Sequence, residues 1–198
     1  MIKKIVTYEN EDGFEFTFEP IEETLSIRKT KEGFEARYLI QDDMTESPDE
    51  EKDNGLFLVN YHRDFDVRRD EVITEDDVKS WYLSTRKISQ LEEYHMFALA
   101  SLVHSGVWLS LEKNFQCDTG GWDTSHVGVV LVSKKEAEKV EKALELAHGL
   151  IKHWNKYLTG DVYCTVKEIY SKDKEPIDYD VVGGCYGYND AQECLVEL

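Results

Sequence analysis

Apolar and polar residues alternate in FEFTFE (14–19), and short runs of the same kind follow in TLSIRK (24–29) and GFEARYLI (33–40). Successive side chains on a strand face opposite ways, so this pattern predicts a series of β-hairpins with glycine and charged turns between them. LFLVNYH (56–62) reads as a further strand. The pattern changes at TEDDVKSWYLST (74–85), where Thr74 suits a helix N-cap and Glu75, Asp76 and Asp77 suit the positive end of the helix dipole. ISQLEEYHMFALASLV (88–103) predicts a short helix and then a strand over about 96–103. HSG (104–106) follows as a tight turn and VWLSLE (107–112) as a strand.

VGVVLV (127–132) is almost wholly β-branched and apolar, the composition of a strand buried on both faces. After it, Ser133 and Glu136 have the spacing of a capping box. Ala137, Val140, Leu144, Ala147, Ile151, Trp154 and Leu158 recur every three or four residues, which predicts one long amphipathic helix over about 134–158, ended by Gly160. DVYCTVKEIY (161–170) and YDVVGGCYGY (179–188) read as a strand and its return across the turn SKDKEP, and NDAQECLVEL as a short terminal helix. The order predicts an α+β fold: a largely antiparallel sheet with the long helix packed on one face. A single domain over 1–198 is expected, with a β-rich part at about 1–65 and an α+β core at about 74–198.

Composition narrows the function. The chain has 198 residues, 41% hydrophobic and 12% aromatic, as a folded protein does. No run approaches the roughly 20 apolar residues of a membrane helix, and the N-terminus has no signal-peptide core, so a cytoplasmic location is expected. Cys117, Cys164, Cys185 and Cys194 include no CxxC pair, which argues against a zinc ribbon and for free thiols; no metal site is assigned. No cofactor can be named. GxSxG, GxxxxGK[ST] and GxGxxG are absent, and Cys185 has no evident activating partner.

The net charge of −18 disfavours direct binding to nucleic acid, which needs clustered lysine and arginine. It favours a cationic partner, or serves solubility alone. Positions 1–100 hold 25 acidic and 13 basic residues. The densest run is 42–55, where Asp42, Asp43, Glu46, Asp49, Glu50, Glu51 and Asp53 make an exposed acidic loop and a candidate interaction surface.

Candidate chemistry lies in the turns. CDTGGWDTSH (117–126) sets Trp122, Asp123, Ser125 and His126 directly before the buried strand. It is either a polar site or an Asx-type turn. His104 and Ser105 close the preceding hairpin, and Asp161 follows the long helix. If sequential strands are neighbours, His104, Asp123, His126 and Asp161 would share one rim, suited to acid–base chemistry or a divalent ion. His62 and Arg63 end the strand at 56–62; Arg63 could grip a carboxylate or phosphate, or pair with the acidic loop.

In order along the chain, ESPDEEKDNG (46–55), YHRDF (61–65), HSG (104–106), FQC with GGWDTSHVGVVLVSKKE (115–136), YLTGDVYCTV (157–166) and GCYGY (184–188) resemble a family of uncharacterised proteins encoded mainly by bacteriophages and mobile elements. Its corresponding stretches read like SPREWDN–LG, HRRY, HSG, CPWDSGQVG, YLTGDVYG and CWGFYG. Here the arginine and tryptophan of the first give way to Asp49-Glu50-Glu51-Lys52, and the short CPWD becomes Cys117–Asp123. The resemblance implies a phage-like origin and no particular reaction. With the acidity, it leads to the expectation of an accessory factor that binds and inhibits a host protein with a basic surface, in the host cytoplasm, by imitating nucleic acid. The alternative expectation is a metal- or small-ligand-binding pocket, or a hydrolase, built on the HSG, WDTSH and TGD turns.

Overall fold

The computed structural model describes residues 5–11, 13, 15–21, 23–48, 55–83, 92–112, 115–118, 120–173 and 175–197. In chain order its elements are β1 (Val6–Glu9), β2 (Glu15–Phe18), β3 (Ser26–Lys29), β4 (Gly33–Gln41), β5 (Leu56–His62), β6 (Phe65–Val67), α1 (Glu75–Tyr82), β7 (Tyr94–Val103), β8 (Val107–Ser110), β9 (Thr124–Ser133), α2 (Val140–Leu158), β10 (Val162–Ser171), β11 (Pro176–Tyr186) and α3 (Tyr188–Glu197). Every pairing among the described strands is antiparallel. The fold is α+β, as the pattern predicts, but its strands form three sheets.

Contacts divide the chain into two compact units, one made of residues 1–46 with 160–198 and the other of 47–159. The first unit joins both ends of the sequence because β10 returns to pair with β4, and β11 pairs with β10.

In the first unit the sheet order is β11-β10-β4-β3. The alternation predicted for 14–19 holds in β2, where Phe16 and Phe18 are buried and Glu15 and Thr17 exposed, and the predicted strand at 33–40 is β4. Phe34, Ala36 and Tyr38 join Phe16 and Phe18 of the β1–β2 hairpin in one cluster, while Leu39 joins Tyr163, Cys185 and Ala191 of α3 in another.

In the second unit the order is β6-β5-β9-β7-β8. β9 is the central strand and is covered on both sides, as VGVVLV predicts. Val130 and Val132 pack with Ala143, Ala147, Leu150, Ile151 and Trp154 of α2; Val129 and Leu131 pack with Tyr61, Ile73 and Val78. Gly128 sits where β5 and β7 close in. A Cβ there would lie 2.7 Å from the Val59 carbonyl and 2.8 Å from Leu99 Cδ2.

Three sequence expectations are corrected. Ser133 does not cap a helix. It ends β9, its amide donating to the Gly55 carbonyl (2.7 Å) and its carbonyl accepting from Glu136 (3.0 Å) in a turn, and α2 begins only at Val140. The buried face of α2 keeps Ala147, Ile151 and Trp154 of the predicted set, but at its start Val140 and Leu144 are 50% and 38% exposed, and Ala143 and Leu150 are buried with the others. The sheet is laid against only part of the helix circumference, and the three–four spacing is satisfied by more than one face. Finally, the predicted short helix before residue 96 is partly strand, since β7 starts at Tyr94; residues 84–91 lie outside the described residues. The predicted start of α1 holds: Thr74 is its N-cap, and it forms a reciprocal capping box with Asp77.

Candidate functional site

The β5–β6 hairpin pairs His62 with Phe65, which leaves Arg63 and Asp64 as its two-residue turn. The His62 amide donates to Asn60 Oδ1 (3.0 Å), and the Asp64 amide donates to His62 Nδ1 (3.1 Å). An Nδ1 that accepts a hydrogen bond leaves the imidazole proton on Nε2. The Asn60 side chain is itself fixed in the core by donating to Ser101 Oγ (2.6 Å). Arg63 is 88% exposed at its side chain, and its Nε lies 3.3 Å from Asp64 Oδ2. Its described partner is therefore its neighbour in the turn. Beside it, the Tyr61 hydroxyl donates to the Ile73 carbonyl (2.6 Å) and lies 3.0 Å from Asp70; burial, and then Asp70, push its pKa up.

Across the sheet, the β7–β8 turn is closed by the His104 amide donating to the Gly106 carbonyl (3.0 Å), with Ser105 at φ +53°. His104 Nδ1 lies 3.6 Å from Asp123 Oδ2, an exposed pair of the kind that adds little stability.

The residue that organises the loop before β9 is Asp118. Its carboxylate accepts from the amides of Trp122 and Asp123 (both 3.0 Å) and from the Thr124 hydroxyl (2.6 Å). The Thr124 bond chiefly, with the amides adding, holds its pKa below the usual carboxylate range. Gly121 takes φ +66°, which its missing side chain permits. A Cβ on Gly120 would meet Trp122 Nε1 at 2.6 Å, so that glycine leaves room for the indole. Held this way, Trp122 is 90% exposed.

These turns meet at one open depression of about 430 Å³, lined by Tyr61, His62, Arg63 and Asp64 from one hairpin and by Val103, Trp122, Asp123, Ser125 and Val127 from β7, the loop and β9. The depression thus gathers His62, Arg63, Trp122, Asp123 and Ser125 of the sequence-derived candidates, and His104 joins through Asp123. His126 is placed elsewhere. Between Leu99–Gly128 and Ser101–Ser125 the pairing slips, with β9 advancing three residues against two in β7. At this bulge the His126 ring stands edge-on to Tyr82, centroids 6.5 Å apart. The Tyr82 hydroxyl secures the bulge, donating to the Gly128 carbonyl (2.7 Å) and accepting from the Leu99 amide (3.1 Å). Burial pushes the Tyr82 pKa up to about 12.

Asp161 belongs to the other unit, where its carbonyl accepts from the Gly187 amide (2.8 Å). Of the acidic set, Asp42 is a latch in that unit: it accepts from the amides of Gly184 (2.8 Å) and Met44 (3.1 Å). Asp43 and Glu46 are in the same unit, and Asp49, Glu50, Glu51 and Asp53 lie outside the described residues. The four cysteines are free. Burial pushes Cys164 up to about 11 and Cys185 up to about 12, with Asp42 and Cys194 as the next causes, so neither is an activated nucleophile. Among the described residues no group of three His, Cys, Asp or Glu is placed to hold a metal ion, and no helix is long and apolar enough to cross a membrane.

Asp118, Asn60, Ser101 and Tyr82 were not candidates in the sequence. Only Asp118 carried a signal, an Asx residue just before a Gly-Gly turn. Compared with known proteins, the chain matches no family model, no curated protein and no solved structure.

Proposed function

We propose that this chain is a protein-binding factor of viral or mobile-element type, which holds a basic host protein and inhibits it. The observation behind this reading is Trp122, almost fully exposed yet held by hydrogen bonds of its loop, in one depression with Tyr61, His62 and Arg63. Tryptophan, tyrosine and arginine supply most of the strong anchors in protein interfaces. A net charge of −18 steers encounter toward a positive surface, the kind that a nucleic-acid-handling protein presents. The resemblance to a phage family supports a host protein as the target.

The test is capture from nuclease-treated bacterial lysate with wild-type chain and with Trp122→Ala and Arg63→Ala, washed at low and high salt. A nucleic-acid-handling protein should be retained by the wild type, weakened by salt, and lost with Trp122→Ala at unchanged melting temperature. An anchor of this kind should weaken binding about thirtyfold or more when truncated. Capture indifferent to Trp122 would overturn the reading.

The size of the depression favours a second reading, because about 430 Å³ lies within the range of small-ligand sites. That reading calls for a metal or nucleotide that raises the melting temperature by mass action, with the shift lost in Asp123→Ala.

A further inference from the structure

β11 pairs with β10 on one side and stands at the end of its sheet. Residues 176–184 are all exposed. Two register shifts bracket a regular stretch in which Asp178, Tyr179, Asp180 and Val181 face Ile169, Glu168, Lys167 and Val166. Tyr179 and Val181 share one face of the strand, Asp178 and Asp180 the other. The Val181 face continues a buried row: Tyr38 pairs with Val166 and Val166 with Val181, and exposure rises along it from buried to 39% at the edge. One more strand would complete the burial. The amide of Tyr179 is meanwhile satisfied by the carboxylate of Asp178 (3.0 Å).

A bare edge of this kind is a template for another chain. The charges select which one. A second copy pairing antiparallel about Tyr179 would set Asp178 against Asp180 twice, and like charges directly opposite are destabilising. Lysine or arginine opposite the same positions is stabilising. The unit that carries β11 holds 21 acidic and 9 basic residues, a net of −12, which adds long-range attraction for a cation.

We propose that the free edge of β11 takes an extended, basic segment of a partner protein as a fifth strand, with apolar side chains beside Tyr179 and Val181 and lysine or arginine beside Asp178 and Asp180. This proposal does not rest on the reading of Trp122, which belongs to the other unit. Main-chain hydrogen bonds supply affinity in such complexes and alternate side chains supply specificity.

The test uses the full chain and two blocked heptapeptides, one alternating valine with lysine and the other valine with glutamate. Calorimetry reads binding, and amide exchange reads where it occurs. The lysine peptide should bind about tenfold or more tightly than the glutamate peptide. It should slow exchange at Tyr179 and Val181. Asp178→Lys with Asp180→Lys should reverse the preference, and the closer-sized Asp178→Asn with Asp180→Asn should reduce it to what the unit's remaining charge supplies. Trp122→Ala should change nothing. The proposal is overturned by no binding at millimolar peptide, by binding without protection of β11, or by a preference that survives charge reversal. Loss of binding in Trp122→Ala would also overturn it and assign the peptide to the depression. Self-association of the wild type with β11 protected would make the occupant a second copy and equally overturn it.

Discussion

Two side chains hold the geometry of the depression without lining it. Tyr82 spans the bulge in β9, so Tyr82→Phe leaves the Leu99 amide and the Gly128 carbonyl without their partner, at a cost of about 1–3 kcal/mol in a urea titration. Tyr82 also gives the fold an alkaline limit. Its folded pKa of about 12 is above the ordinary 10.0, so its contribution is complete below pH 10 and is lost as pH rises through 12. Part of the alkaline loss of stability should therefore be missing in Tyr82→Phe. Asp118 behaves oppositely. Its depressed pKa means that the order it imposes on the loop is present above the ordinary 3.8 and is lost as pH falls through the lower, folded value. In Asp118→Ala the Trp122 and Asp123 amides should exchange rapidly at neutral pH, and acid should have the same effect on the wild type. Unchanged exchange in that variant would mean that the loop is ordered by other contacts. The motif 117–126 was legible as a polar turn, but its key acceptor is Asp118 and not Asp123, because only the folded loop shows which carboxylate meets the amides.

At the scale of elements, strands were the more legible. β2, β4, β5 and β9 are short patterns that lie on or between apolar layers, and period two leaves little freedom in which side faces in. Helix α2 was legible as a helix, and Ala147, Ile151 and Trp154 of its predicted face are buried, but its start was not legible. Lys139 occupies the N-cap without a side-chain cap bond, and its charge opposes the helix dipole. Lys139→Ser should thus stabilise the chain by about 1 kcal/mol, read as a raised melting temperature. Ser133→Ala should lose no helix cap, since the Ser133 hydroxyl accepts from the Lys135 amide in the turn (3.2 Å) and α2 begins at Val140. A neutral Lys139 variant, or a large loss in the Ser133 variant, would mean that the helix starts earlier than Val140.

For the whole molecule, the excess of negative charge is densest in one of the two units. The unit of residues 1–46 and 160–198 carries −12, and that of 47–159, with 20 acidic and 14 basic residues, carries −6. Self-repulsion opposes compaction and is screened over about 30 Å at 0.01 M salt but about 3 Å at 1 M. Amide exchange should accordingly slow with salt in both units, and more in the first; equal slowing would show that local ion pairs already balance the charge. The sequence by itself determined the α+β class, the antiparallel strands, the central burial of β9 and the capped start of α1, because each depends on residues close together in the chain. It also singled out most of the residues that surround the depression, since polar turns beside buried strands are visible in one dimension. Only the tertiary structure decided that β10 and β11 join the N-terminal strands, that His126 turns to Tyr82, and that Asp161 belongs to a different unit from Asp123. Those outcomes depend on pairings between distant segments, where register, bulges and close approach at Gly128 are chosen by packing and leave no periodic trace in the chain.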